Sequence, residues 1–324
     1  MQKISIVFST NDKFVSFTSV AIESIKENAS NNLYYIYIFH SRLSKNNINN
    51  LEKQSNAKVV IKCMDISKEI NFNDLYEVDN YTYEIYYRYY APKILNQYKK
   101  IIYLDSDIIL LEDIAKLYNE NIDNSPIAAI LDFKNYVKKA NFYFNSGVLV
   151  FNVKQFENQQ IRNKCLELIK KIHYKLPDQD ALNEVCKNSV YLLNPKYNHQ
   201  VSLAYYHKFK HNVKTKKYKL LFKEEPIIIH FSYITKPNVT ICSKYNKDFW
   251  KYASKTAYFN QLVDSYLKDP YEILRNSPVD DIYIDLTREG KVRLRRIINV
   301  FFYQLASWFL YKLEKGSKKY GNKK

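Results

Sequence analysis

The first 63 residues alternate between short runs of β-branched or aromatic residues and longer stretches with helical spacing, and few architectures accommodate that alternation. Lys3–Ser9 and Leu33–His40 are dense in Ile, Val, Phe and Tyr, and residues 58–63 repeat the pattern. Between them, residues 14–29 place Phe17, Val20, Ala21, Ser24 and Ile25 on one face of a helix, and 44–55 read as a second helix. Strand, helix and strand in succession predict an α/β unit around a largely parallel sheet. Further strands are expected at Lys100–Leu104, Ile127–Leu131, 147–152 and 226–231, and helices at 86–95, 155–173 and 179–187. No repeat or low-complexity linker divides the first 260 residues. One domain over 1–263 is therefore expected, with a connector and a distinct tail over 264–324.

Chemistry concentrates where the strand run Ile101 to Leu104 breaks into Asp105-Ser106-Asp107. Carboxylates beside a buried strand are costly unless something pairs with them. Side chains at i and i+2 of an extended segment point the same way, so Asp105 and Asp107 can converge on one hard divalent cation. Asp and Ser also favour turns and helix caps, so the triplet read alone is either a cation site or a turn. His230 follows the apolar run Pro226-Ile-Ile-Ile229 and stands six residues before Lys236-Pro237. Its imidazole could complete a metal shell or be a satisfied structural group, and Lys236 could neutralise a diphosphate oxygen. His40, also at a strand end, is read as structural.

Six blocks in order resemble glycosyltransferase family 8, the retaining enzymes that include lipopolysaccharide galactosyl- and glucosyltransferases and glycogenin. They are Ile6-Val-Phe-Ser-Thr10, Arg88-Tyr-Tyr-Ala-Pro92, Tyr103-Leu-Asp-Ser-Asp107, Phe144-Asn-Ser-Gly-Val148, Pro177-Asp-Gln-Asp180 and His230-Phe-Ser-Tyr-Ile-Thr-Lys-Pro237. The resemblance covers roughly residues 1–260 and implies a GT-A fold, Rossmann-like, with a mixed and mostly parallel sheet flanked by helices. It further implies that Asp105, Asp107 and His230 bind Mn2+, with Mg2+ as the other candidate, bridging the diphosphate of UDP-glucose or UDP-galactose. Lys236 would contact the diphosphate, and Ser106 would belong to the donor-binding loop. Ser9 and Asn11 would lie near the uridine, and Arg88 beside the metal carboxylates and donor. Asp132, Asn145, Asp178 and Gln179 would surround the transferred sugar. Gln179 is a poor nucleophile, which favours same-face attack over a covalent intermediate. Asp178 and Asp180 are also suited to a first helical turn.

Two stretches, at three positions, depart from the family pattern. Asn11 stands where an acidic residue is usual, and Tyr233 and Asn238 replace the Gly and Trp of His-x-x-Gly-x-x-Lys-Pro-Trp. A glycine would let backbone approach a phosphate closely, so the loop after His230 is expected to run differently.

The charge is +17, and residues 288–324 carry eleven basic and two acidic residues around the apolar, aromatic run 297–311. Fifteen helical residues span about 22 Å, short of a roughly 30 Å hydrocarbon core. Flanking Lys and Arg fit an amphipathic helix lying on an anionic membrane surface, and the family resemblance points the same way. The competing readings are a helix packed on the main domain or in an oligomer interface, and a basic nucleic-acid-binding or membrane-surface protein without catalysis. Nucleic-acid binding would interleave cations with aromatics on one face, whereas here the basic excess flanks an apolar helix. A nucleotidyltransferase would need a Gly-rich triphosphate loop, and the chain has 4 glycines. Cys63, Cys165, Cys186 and Cys242 follow no metal or disulfide spacing, and the start reads as a first strand. The expectation is a cytoplasmic enzyme, peripheral on the inner face of the cell membrane, acting on a bacterial cell-envelope glycan or glycolipid.

Overall fold

A computed structural model describes residues 1–78, 81–132, 142–201, 224–232, 235–239 and 245–268. Tyr233, Cys242 and the expected tail from 269 onward lie outside them. The strands are β1 (Lys3–Ser9), β2 (Leu33–His40), β3 (Val59–Asp65), β4 (Lys100–Leu104), β5 (Ile108–Leu110), β6 (Ile127–Leu131), β7 (Phe144–Asn152), β8 (Val190–Leu192), β9 (His199–Gln200) and β10 (Ile228–His230). Seven form one sheet in the order β3-β2-β1-β4-β7-β6-β8, and β5-β10-β9 form a second. Within the large sheet β7 runs antiparallel to both β4 and β6, while the other pairings are parallel.

The central strands of the large sheet are covered on both faces, so they read as nearly continuous apolar runs. Ile4, Ile6, Phe8, Ile102, Leu104, Val148 and Val150 enter one core cluster. Val7, Ile101, Tyr103, Leu149 and Phe151 enter the other, as the two-residue period of a strand requires.

Local structure departs from expectation in three places. The first helix, Val15–Asn28, is buried at every position from Val15 to Ile25 rather than along one stripe. It lies between two apolar clusters, giving Ala21, Ile22 and Ile25 to one and Phe17 and Val20 to the other. The helix expected at 155–173 is two, Val153–Asn158 and Ile161–Lys171. Gln160, at φ 53° and ψ 37°, sits in the left-handed region between them. The segment before β4 is a 3-10 helix, Tyr83–Tyr90, with only a short α-turn, Ala91–Ile94, after it.

The reversed strand has a direct bearing on the site. Ligands of open α/β sheets gather at the carboxyl ends of the strands. Because β7 runs against β4, its amino-terminal residues Asn145, Ser146 and Gly147 lie beside the carboxyl end of β4. The Asp105 N–H donates to the Gly147 carbonyl at 2.8 Å. The small sheet brings in the next component: β5 follows Asp107 directly and pairs antiparallel with β10, setting His230 opposite Ile108. The Phe231 N–H donates to the Asp107 carbonyl at 2.8 Å. Helix Phe259–Leu267 closes the described chain and runs through residues 263 and 264, where the division into domain and connector was expected. Among the described residues no helix is long and apolar enough to cross a membrane.

Candidate active site

Asp105, Asp107 and His230 converge, each offering one ligand atom, with those atoms within 4.8 Å of one another. His230 Nε2 lies 3.2 Å from Asp107 Oδ1 and 3.8 Å from Asp105 Oδ2. The donor set, two hard oxygens and one imidazole nitrogen, suits Mn2+ or Mg2+. The backbone is shaped to the cluster as well. A Cβ on Gly147 would lie 2.4 Å from His230 Cε1 and 2.6 Å from Asp105 Oδ2. Only glycine leaves that room, so the residues present fit a divalent ion.

Two cations neutralise the carboxylates. Lys236 Nζ lies 2.8 Å from Asp107 Oδ2. Burial alone would raise the Asp107 pKa, but Lys236 and His230 hold its carboxyl well below the usual range. Burial would likewise lower the His230 pKa, and Asp107, then Asp105, carry it above the ordinary value instead. Arg88 is 3% exposed. Its guanidinium meets Asp105 Oδ1 at 3.0 Å, Asp178 Oδ2 at 3.2 Å, the Ser146 carbonyl at 2.6 Å and the Ile85 carbonyl at 2.8 Å. It also lies over the Tyr103 ring, 4.5 Å from the centroid. The 3-10 geometry around Arg88 contributes, since Nε closes onto a carbonyl three residues back.

The expected sugar-side residues form one hydrogen-bonded group. Helix Pro177–Cys186 carries Asp178 and Gln179 in its first turn. Gln179 Oε1 accepts from Asn145 Nδ2 at 3.1 Å and from the Ser146 N–H at 3.0 Å. Gln179 Nε2 donates to Asp132 Oδ2 at 3.0 Å. Asp132 is fully buried and meets the site through Gln179. Burial lifts the Asp178 pKa despite Arg88 beside it. Asp180 accepts from Tyr143 Oη at 2.6 Å and the Leu176 N–H at 3.0 Å.

A cavity of about 410 Å³ joins these groups, and Ser9, Asn11, Arg88, Asp105, Asp178 and Lys236 are among its walls. Asn11 lines it with its side chain engaged: Oδ1 accepts the Lys13 and Phe14 N–H groups, and Nδ2 donates to Thr82 Oγ1 and Glu84 Oε2, each at 3.1 Å. Ser106 turns inward, receiving Thr18 Oγ1–H at 2.8 Å and donating to the Ser9 carbonyl at 3.2 Å, so it fastens the carboxylate loop to β1. His40 accepts the Leu43 N–H at 3.4 Å, in keeping with a structural role. Asn238 donates to Ser265 Oγ at 3.0 Å, tying the segment after Lys236 to the last described helix. Sequence reasoning missed Glu84, Thr82 and Asn198. Glu84 precedes Arg88 by one helical turn, the one signal that could have pointed to it. Asn198 stands in an unremarkable run before β9.

The sheet, its reversed strand and an Asp-x-Asp at the carboxyl end of β4 define the GT-A architecture. The chain belongs to glycosyl transferase family 8, whose sequence model matches residues 5–239. A Haemophilus influenzae relative is 28% identical over 212 residues, covering 61% of this chain and 63% of the relative. The lipopolysaccharide 1,2-glucosyltransferase of Escherichia coli is 28% identical over 169 residues, 47% of this chain and 48% of that one. The chain thus spans under two thirds of the length of the first and about half of the second. The galactosyltransferase LgtC, solved with donor and acceptor sugar analogs, superposes with a TM-score of 0.66 at 18% identity. That match covers 78% of this chain and 96% of LgtC, and it bears on the fold.

Proposed function

We propose that the chain transfers a hexose, glucose or galactose, from a UDP-sugar to a glycan or glycolipid of the bacterial cell envelope, with retention of anomeric configuration. The observation that carries this reading is the convergence of Asp105, Asp107 and His230 within 4.8 Å at the wall of a cavity. A divalent ion held there would supply Lewis-acid stabilisation for charge developing on the departing diphosphate. Lys236, 2.8 Å from Asp107, brings a further cation to the same edge. Arg88 holds Asp105 and Asp178 in fixed positions from its buried guanidinium. Gln179 and Asn145 border the cavity with amides whose orientation their neighbours fix. The Gln179 carbonyl oxygen already accepts two N–H groups, which leaves it weaker still as a nucleophile and favours same-face attack.

The noncatalytic alternative, a basic protein on nucleic acid, fits the cavity poorly. Its walls include Glu84, Asp105, Asp107 and Asp178, and phosphates would be repelled from such a wall without a bound cation. For the connector and tail expected over 264–324, of which 269–324 lie outside the described residues, we retain the reading of a membrane-associating tail that places the enzyme on the inner face of the cell membrane. The central test is release of UDP from a panel of UDP-sugars with Mn2+ or Mg2+, in wild type and in Asp105→Ala and Asp107→Ala. Metal-dependent hydrolysis of one donor, lost in both variants, is expected. Absence of turnover with every UDP-sugar, or wild-type turnover in either variant, would refute the reading.

A further inference from the structure

His230 presents two different ring nitrogens. Nε2 faces Asp105 and Asp107, and Nδ1 lies 3.0 Å from Asn198 Oδ1. Asn198 is fully buried, so its amide has no water to turn to. A carboxamide beside an imidazole does not by itself decide which nitrogen bears the proton, because amide O and N can exchange places. Here the neighbours decide it. The Gly147 N–H donates at 3.0 Å to Asn145, so the accepting atom is the carbonyl oxygen Oδ1. That oxygen lies 2.9 Å from Asn198 Nδ2, which must therefore be the donor end. The other end of Asn198 is its carbonyl oxygen and accepts Nδ1–H. In the neutral ring the Nε2 lone pair then points at the two aspartates.

The adjacent peptide orients a second amide. The Ser146 N–H donates to Gln179 Oε1, and Asn145 Nδ2 donates to the same oxygen at 3.1 Å. Gln179 Nε2 is left to donate to Asp132. Two successive backbone N–H groups of β7 thus orient three side-chain amides, with the metal-ligand candidate at one end and a buried carboxylate at the other. Buried networks of this kind are rigid when every member is satisfied.

We propose that Asn198 is a positioning residue that holds His230 in the Nδ1–H form, leaving Nε2 as the ligand atom, and couples it through Asn145 to Gln179. The proposal rests on the metal site described above. Its partner at Nδ1 is a carbonyl oxygen, the kind of outer contact whose loss typically costs about 10- to 100-fold in metal affinity or activity. Asn198→Leu removes both contacts. Asn198→Asp keeps an acceptor for Nδ1–H but sets oxygen against Asn145 Oδ1, so it breaks only the link toward Gln179.

The experiment uses full-length protein labelled with 15N-histidine, which resolves the six imidazoles by long-range 1H–15N correlation. Spectra of metal-free protein are taken at a pH where the His230 ring is neutral, and Mn2+ binding is measured separately by loss of the free-ion EPR signal. Wild type should show Nδ1–H at His230. Asn198→Leu should lose that preference and bind Mn2+ about 10- to 100-fold more weakly. Asn198→Asp should keep the tautomer and the affinity while lowering kcat with little change in donor KM. Nδ1–H and wild-type Mn2+ affinity retained in Asn198→Leu, or both lost in Asn198→Asp, would overturn the proposal. A wild type with Nδ1–H that takes up no Mn2+ would instead sink the metal reading and leave the tautomer assignment standing.

Discussion

Gly147 approaches His230 so closely that a methyl group on its Cα would lie 2.4 Å from the imidazole Cε1. The same methyl would lie 2.6 Å from Asp105 Oδ2. Gly147→Ala must therefore displace a candidate metal ligand, and both neighbours are held by other bonds. We expect at least a tenfold loss in Mn2+ affinity and a larger loss in turnover, with a stability cost of about 1–3 kcal/mol from overpacking. Thermal melts with and without Mn2+, alongside UDP release, separate the two effects. Wild-type Mn2+ binding in this variant would mean that the ligands tolerate the displacement.

Arg88 is the structural counter-charge of the site, and Arg88→Met would leave Asp105 and Asp178 without it. Loss of one partner of a buried pair typically costs about 3–5 kcal/mol. Arg88→Lys preserves the charge but cannot reach Asp105, Asp178 and two carbonyls at once, so it should fall between wild type and Met. Urea denaturation gives the order. Equal stability of all three proteins would contradict the part assigned to Arg88.

The pH dependence of stability should differ with and without metal. The folded-state pKa of His230 lies above 6.5, so its contribution in metal-free protein is fully present below pH 6.5 and is lost as pH rises through the raised value. Asp107, with a depressed pKa, stays ionised across that window. Mn2+ must displace the imidazolium proton, so its affinity should rise over the same range. Melting temperature is expected to fall with rising pH in EDTA, while the increment on adding Mn2+ grows. An increment independent of pH between 6 and 9 would argue against His230 as a ligand.

Truncation after Thr287 removes eleven basic and two acidic residues together with the apolar run 297–311. Each Lys or Arg near an anionic surface contributes about 1 kcal/mol. The truncated protein should lose partitioning to phosphatidylserine vesicles and keep its UDP-sugar hydrolysis. Unchanged sedimentation with the vesicles would show that the tail is not the anchor.

Strands buried on both faces and bounded by polar turns were readable from sequence. Lys3–Ser9, Leu33–His40, Lys100–Leu104 and Ile127–Leu131 match residue for residue. β5, β8 and β9 were not, because two or three residues leave too little periodicity to detect; β10 is as short and was marked only by the apolar run ahead of His230. The break at Gln160 was hidden for a similar reason, since no Gly or Pro marks it. At the site, the carboxylates and His230 were legible because charged or ionisable groups interrupt apolar runs. Asn198 was not, since a buried amide chosen for its two neighbours looks like any other asparagine in a polar stretch. The engagement of Asn11 with Glu84 was equally invisible, being a contact across 73 residues.

β10 carries a further consequence. Ile228 packs into one core cluster and Ile229 into another, so the strand has apolar anchors on opposite sides immediately before its imidazole. A slip of one residue against β5 would exchange those sides and present Ile229 or Phe231 where the imidazole belongs. Close apolar packing therefore proofreads the coordination chemistry next to it: the alignment that shelters the isoleucines is the one that delivers nitrogen to the aspartates.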